Sequence, residues 1–445
     1  MMDIKRLNKP YQFVAIAGFF LFFFFVQFLA ASWSSAVAAP AVAVAFFFGF
    51  LVLAALLVCA LVYYDVRIDW PMLTAVIALT GLGALMGWRL ASSTGGFCSI
   101  FLKRAVGICG LTVTAVYFSR REALLGLLRR YFLIAAGVML FSILIGLFLK
   151  ITDGGVFFGW RVPWDFFKVL LTIVFAGYLA DYGPELSKTW HWLPRFKLCV
   201  WGPLVFLWLI PLVGILLLHD FGQVLIYGIL VLALLFMATG RLFYPLYAAS
   251  SVLAGTLLIF NFQSFVPAVI LKRFDICLNI WNSEISDIWW NRFYQTVNSL
   301  FAVDSGGVVG SGLGWGYPRL VYSIENDCVY TGLVEEGGWL LGMAVLALYL
   351  VIILRGFAIA SKARNPFLHM LAAGFTIMFA IQALLNIGGV LNIIPMTGIS
   401  LPLLSSSGTS LFTNLVMMGF LFAINHVNKE EEGPDTRTDS AGDQK

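Results

Sequence analysis

The amino-acid sequence predicts an all-α protein, a polytopic transmembrane helical bundle of about 12 spans with one large extracytoplasmic loop. Three observations carry this. Of 445 residues, 61% are hydrophobic and 11% charged, and the mean hydropathy is +0.92, far outside the range of soluble domains. Apolar runs near or above the roughly 18–20 residues that cross a bilayer recur along the whole length, and in lipid the backbone must satisfy its own hydrogen bonds as helices. Cations gather in alternate connections, the pattern that orients cytoplasmic loops.

Residues 1–150 read as five spans, near 12–31, 41–64, 71–88, 105–118 and 131–149. The opening MMDIKRLNKP is basic, but the apolar run after it is long enough to span and lacks a small-residue cleavage site, so the first helix is expected to be retained. Residues 151–262 add spans near 166–180, 198–218, 221–239 and 243–262. Residues 263–336 then form the large loop, whose IWNSEISDIWWNRFYQ is rich in the amphipathic aromatics that sit at membrane surfaces. Loops this long in compact proteins are functional or disordered, and these aromatics argue for function. Residues 337–426 contain the last spans, near 337–354, 368–391 and 403–425, and 427–445 read as a disordered cytoplasmic tail. A cytoplasmic N-terminus puts Lys5, Arg6, Lys9, Arg67, Arg120, Arg121, Arg129, Arg130, Lys188, Arg195, Lys197, Arg355, Lys362 and Arg364 inside. Arg89, Lys103 and Arg104 are the exceptions.

Several motifs have bland readings. The net charge of +5 orients the chain and does not mark a nucleic-acid binder, because no basic run carries interleaved aromatics. The six cysteines show neither CxxC nor zinc spacing, and suit small fillers of membrane helices. Cys277 and Cys328 lie in the large loop, where a pairing stays open. AVDSGGVVGSG contains a protease-like DSGG, yet no histidine is placed to serve as its base. Its glycines make a tight loop, not a dinucleotide fingerprint, since no βαβ unit is available. His219–Asp220 between two apolar runs leaves two readings open, an intramembrane functional charge or a helix-capping turn.

The stretch SIENDCVYTGLVEEGG, residues 323–338, holds one aspartate, three glutamates and no cation. A helix starting near Asp327 would put 327, 331 and 335 on one face, with Asp327 at the outer mouth and Glu335 about 12 Å deeper. Favourable dipole interactions at a helix start account for one acid but not for this many. At least one of the paired glutamates needs a partner or a water-filled cavity. A carboxylate at the mouth near Lys272, Arg273, Arg292 and Arg319 suits a general base beside a bound phosphate.

NIGGVLNIIPMTGISLPLLSSSGTS, residues 386–410, resembles the signature of the SEDS family (shape, elongation, division and sporulation) of RodA- and FtsW-like proteins. Asn386, Pro395, Gly398, Pro402, Ser405 and Gly408 match it; Asn392 and Ser407 stand where glycine is usual. LHDFGQVL is similar to the family's PDLGTAL through Asp220 and Gly222, and VPWDFFK to QPSEFAK through Pro163 and Lys168, with Asp165 for glutamate. KRFDICLNIW matches a basic pair followed by NPW at Lys272, Arg273, Asn279 and Trp281. Tyr294, Gln295, Ser299, Gly306, Gly307, Gly312 and Gly314 follow in family order. Asp327, Glu335, Glu336 and Gly338 match PEAHTDFIFAIIGEELG, although the loop before them is shorter and lacks its histidine. The resemblance covers roughly residues 160–426, and five spans precede it where the family usually has three.

The resemblance implies an inverting peptidoglycan glycosyltransferase that polymerises lipid II on the outer face of the cytoplasmic membrane during elongation, division or sporulation. Asp327 would take the acceptor hydroxyl proton. Lys272, Arg273 or Arg319 would hold the pyrophosphate, with Tyr294 and Gln295 as further substrate contacts. Glu335, Glu336, Asp220, Asp165, Lys168 and Ser405 would support the site. A divalent cation, Mg or Mn, would be a possible helper, and a class B penicillin-binding transpeptidase the partner; membrane lipid is expected as surroundings and nucleic acid is not. The alternatives are a lipid II flippase, whose polar groups should line a midplane path, and a non-catalytic SEDS-like scaffold.

Overall fold

The computed structural model describes residues 40–91, 94–141, 156–157, 160–161, 165–187, 189–190, 193–194, 198–217, 221–247, 250, 268–280 and 294–431. With so little polar sequence to support loops, most of the described residues are helical. In order come Pro40–Tyr63 (α1), Trp70–Leu90 (α2), Thr94–Arg120 (α3) and Glu122–Arg130 (α4), then Phe132–Phe141 (α5). Phe166–Leu186 (α6), Leu198–Leu217 (α7) and Phe221–Thr239 (α8) follow, then the shorter Ala268–Asn279 (α9) and Tyr294–Gly306 (α10). Val329–Lys362 (α11), Pro366–Val390 (α12) and Gly408–Glu431 (α13) complete the set. Two hairpins of two-residue strands, Val156–Phe157 with Trp160–Arg161 and Thr189–Trp190 with Leu193–Pro194, add no layer.

Among the described residues nine helices are long and apolar enough to cross a membrane, or ten if α4 and α5, bent by 63°, make one span. This is a multi-pass membrane protein. Of the expected spans, 12–31, most of 243–262 and the second part of 131–149 lie outside the described residues, and the other nine fall on these helices. The centre is α12 and α13, whose spans are 83% and 89% buried, while α1, at 22%, sits on the periphery. α13 packs along α3, and α11 lies against α12 and α2.

Polar ties close both ends of the bundle. At one end Asp69 caps α2 by accepting from Met72 N at 3.2 Å, and Arg355 Nε of α11 lies 3.0 Å from its Oδ2. There Asn425 donates to Arg67 O at 2.6 Å and Lys429 to Ile68 O at 3.2 Å. These acceptors carry α13 on to Glu431, so the tail expected from 427 starts with a further helical turn; residues 432–445 lie outside the described set. The opposite end holds the site.

α11 is broken. Gly338 has φ 72° and ψ 178° in its middle, and the chain after α10 enters the gap. Ser311 N donates to Glu335 O and Gly312 N to Glu336 O, each at 3.0 Å; Trp339 N donates to Gly307 O at 2.9 Å and Leu340 N to Val308 O at 3.2 Å. The inserted loop thereby satisfies groups that a broken membrane helix would otherwise leave bare. Only glycine suits this backbone, and a Cβ on Gly338 would lie 2.3 Å from Val308 O and 2.4 Å from Gly310 N. Gly338→Ala is therefore expected to destabilise the protein by about 3 kcal/mol or more, from strain plus displaced loop contacts. Thermal unfolding in detergent reads it, and an unchanged midpoint would contradict the geometry.

Candidate active site

The sequence places acids where a helix is about to begin, and the fold puts one of them, Asp327, in the wall of a cavity. α11 starts at Val329, not at Asp327. Ser323 adopts φ 57° and its carbonyl accepts from Asp327 N at 3.1 Å, so Asp327 stands in the turn before the helix. The shared face of 327, 331 and 335 expected from helical spacing is not formed, because the helix begins two residues too late to include Asp327. Asn386 of α12 donates to Asp327 O at 2.7 Å and to Ile399 O at 2.6 Å, holding the acid's backbone and the 391–407 segment together.

The cavity measures about 470 Å³ and is lined by Lys272, Arg273, Ile276, Tyr294, Gln295, Thr296, Tyr322, Asp327, Met396 and Gly398. Pockets of this size with a few converging polar groups are typical ligand sites. Gly398 (φ 74°) borders both Arg273 and Asp327: a Cβ there would lie 3.8 Å from Arg273 Nη2 and 4.0 Å from Asp327 Oδ2. Burial pushes the Asp327 carboxyl up from 3.8 to about 6, against a lowering hydrogen bond from Ser323 and the charge of Arg273. A carboxylate with that value is a competent base near neutrality. Beside it, burial raises the Cys328 thiol to about 12, so it stays neutral. Cys277 and Cys328 are both free thiols.

Of the residues singled out in the sequence, Asp327, Lys272, Arg273, Tyr294 and Gln295 meet at this cavity. Lys272 is exposed at its edge. Arg273 Nη1 donates to Thr397 O at 2.9 Å, and Gln295 Nε2 to Tyr322 O at 3.3 Å. Arg319 is turned elsewhere: its Nη2 donates to Leu90 O at 3.2 Å and Ala91 O at 3.4 Å, closing the end of α2, where a cation complements the helix dipole. Glu335 and Glu336 form a separate buried site. Glu335 accepts from Tyr317 N at 2.7 Å, and Glu336 pairs with Arg89 Nε at 3.1 Å. Arg89 also donates to Gly314 O and Gly316 O.

Asp165 pairs with buried Lys168 and accepts from Thr409 Oγ1 at 2.7 Å, and Ser405 Oγ accepts from Ser407 N at 3.1 Å ahead of α13. These three do not line the cavity. Asp220 lies outside the described residues. Five groups were missed: Ile276, Thr296, Tyr322 and Met396 on the wall, and Asn386 behind the acid. Asn386 was visible as a motif match, whereas nothing local to Tyr322 or Met396 marks them. Among the described residues no point gathers three or more His, Cys, Asp or Glu side chains, and Asp327 is the one acid on this wall.

The FtsW/RodA/SpoVE profile, described as a cell cycle protein, matches residues 69–430. The chain is 33% identical over 270 residues to the peptidoglycan glycosyltransferase RodA of Mycobacterium tuberculosis (strain ATCC 25618 / H37Rv), covering 59% of this chain and 55% of that one. It therefore spans little more than half the length of such curated relatives. It is 27% identical over 394 residues to a probable peptidoglycan glycosyltransferase FtsW of Thioalkalivibrio sulfidiphilus, covering 83% and 92%. A chain solved in work on the structural coordination of polymerization and crosslinking by a peptidoglycan synthase complex shares the fold, with TM-score 0.62, 19% identity and coverage of 81% and 98%.

Proposed function

This chain belongs to the FtsW/RodA/SpoVE family of cell cycle proteins, and from that premise we propose that it is a peptidoglycan glycosyltransferase polymerising lipid II into glycan strands. One observation carries the reading. A single acid with its proton affinity raised to about 6 stands in a cavity edged by two cations at one end of a membrane bundle. The reaction needs both halves of that arrangement, a base for the acceptor and positive charge for the leaving group.

In this mechanism the 4-hydroxyl oxygen of the acceptor GlcNAc forms a bond to the anomeric carbon of the donor MurNAc, and the bond from that carbon to the pyrophosphate breaks. Asp327 accepts the hydroxyl proton. Undecaprenyl pyrophosphate departs with inversion, its charge met by Lys272 and Arg273. Donor binding also sharpens the base: pyrophosphate offsets the Arg273 charge that lowers the Asp327 proton affinity, so the carboxylate is most basic when the donor is in place. The cavity end would face outward, both termini would be cytoplasmic, and a class B penicillin-binding transpeptidase would cross-link the product. Such a transpeptidase fits the fold's likeness to a chain from a peptidoglycan synthase complex.

Labelled lipid II incubated with the purified protein in detergent, with and without a candidate transpeptidase, tests the proposal. Glycan strands are expected from the parent. Lys272→Ala, at an exposed residue with no structural bond among the described residues, should lower kcat/KM about tenfold through loss of a charge-assisted contact. No strands under any condition would transfer the site to a flippase or a scaffold.

A further inference from the structure

Asn392 occupies a position where the resembled family usually has glycine, and its backbone explains half of that choice. It follows α12 with φ 56°; its N–H reaches Gly389 O at 3.1 Å and Ile393 N reaches Gly388 O at 2.8 Å. This is a left-handed helix stop, which glycine serves best and asparagine next. The cap uses only the backbone, so the side-chain amide is free for another contact. Its Nδ2 donates to Cys277 O at 3.1 Å, while Cys277 Sγ faces Asn392 O at 3.8 Å.

Cys277 lies on α9 one turn beyond Arg273, about 6 Å along the axis. α9 is the helix that brings Lys272 and Arg273 to the cavity. A second polar tie from α9 to the 391–399 segment is Arg273 itself, through Thr397 O. That tie is compromised whenever the guanidinium turns toward an anion. The Asn392–Cys277 contact uses no cavity cation, so a bound anion does not compete for it.

We propose that Asn392 is a positioning residue that anchors α9 and thereby holds the Lys272–Arg273 pair over the cavity for a pyrophosphate-bearing substrate. The substrate half rests on the glycosyltransferase reading; the anchoring half does not. Two variants keep the left-handed backbone and remove the donor: Asn392→Gly, and Asn392→Asp, whose carboxylate also repels the Cys277 carbonyl. Backbone hydrogen exchange of the full-length protein in detergent is measured alongside steady-state polymerisation of labelled lipid II. In both variants amides of 274–279 should exchange about two- to tenfold faster, the range set by one neutral hydrogen bond, with α13 unchanged. KM should rise by a similar factor with kcat retained.

Unchanged exchange in α9 overturns the anchor. Faster exchange with the parental KM overturns the positioning role. A parent that makes no strands while its variants still loosen α9 counts against the glycosyltransferase reading and upholds the anchor.

Discussion

Asp327→Asn is expected to reduce glycan-strand formation from lipid II by at least about 100-fold, the lower bound for removing a positioned general base. Asparagine keeps the size of the side chain and the backbone bonds from Asn386 and to Ser323, so the loss isolates proton transfer. The pH dependence follows from the direction of the shift. The base works deprotonated, and its carboxyl titrates near 6, not near 3.8. The parent kcat/KM, which reports the free enzyme, should therefore fall as pH drops through about 6 and level off above it. Stability runs the other way. A carboxyl whose folded value is raised binds more protons folded than unfolded between about 4 and 6, so its contribution declines as pH rises across that window. At pH 7 the Asn variant should melt above the parent, and near pH 4 the two should converge. Parental polymerisation by a well-folded Asn variant would remove Asp327 from the chemistry.

Arg89→Met should destabilise the fold by about 3–5 kcal/mol, because it strands the Glu336 carboxylate in an interior it cannot leave. The Glu336 side chain is fully buried while Arg89 keeps 15% exposure. Glu336→Gln is thus expected to cost much less: Arg89 retains water and the Gly314 and Gly316 carbonyls. The order, Arg89→Met far worse than Glu336→Gln, is the informative result in thermal unfolding. Equal or reversed losses would show that the ion pair does not carry the junction between α2, the inserted loop and the break in α11.

Much of this architecture is legible in the chain because span length and hydropathy are local properties. The nine expected spans that fall within the described residues coincide with helices for that reason. The acidic stretch before Gly338 is legible too, since carboxylates entering an apolar run demand an explanation. Their division into two sites is not. Helical spacing puts Asp327 and Glu335 on one face, but the turn at Ser323 delays the helix and the loop at 306–312 breaks it. Arg89, Lys103 and Arg104 look like violations of a charge pattern in one dimension. Folded, Arg89 meets Glu336 from 247 residues away, Lys103 donates to Ser406 O, and buried Arg104 donates to Thr80 O.

By itself the sequence determined a multi-pass helical bundle, the one stretch where acids collect, and the order of motifs that marks the family, because each depends on residues near one another in the chain. Only the tertiary structure decided which cation serves which acid. Lys272 and Arg273 come to Asp327, Arg89 goes to Glu336, and Arg319 closes α2. Coulomb and hydrogen-bond energies depend on distance through space, and those distances are set by how α2, α9, α11 and α12 pack, which no local pattern encodes.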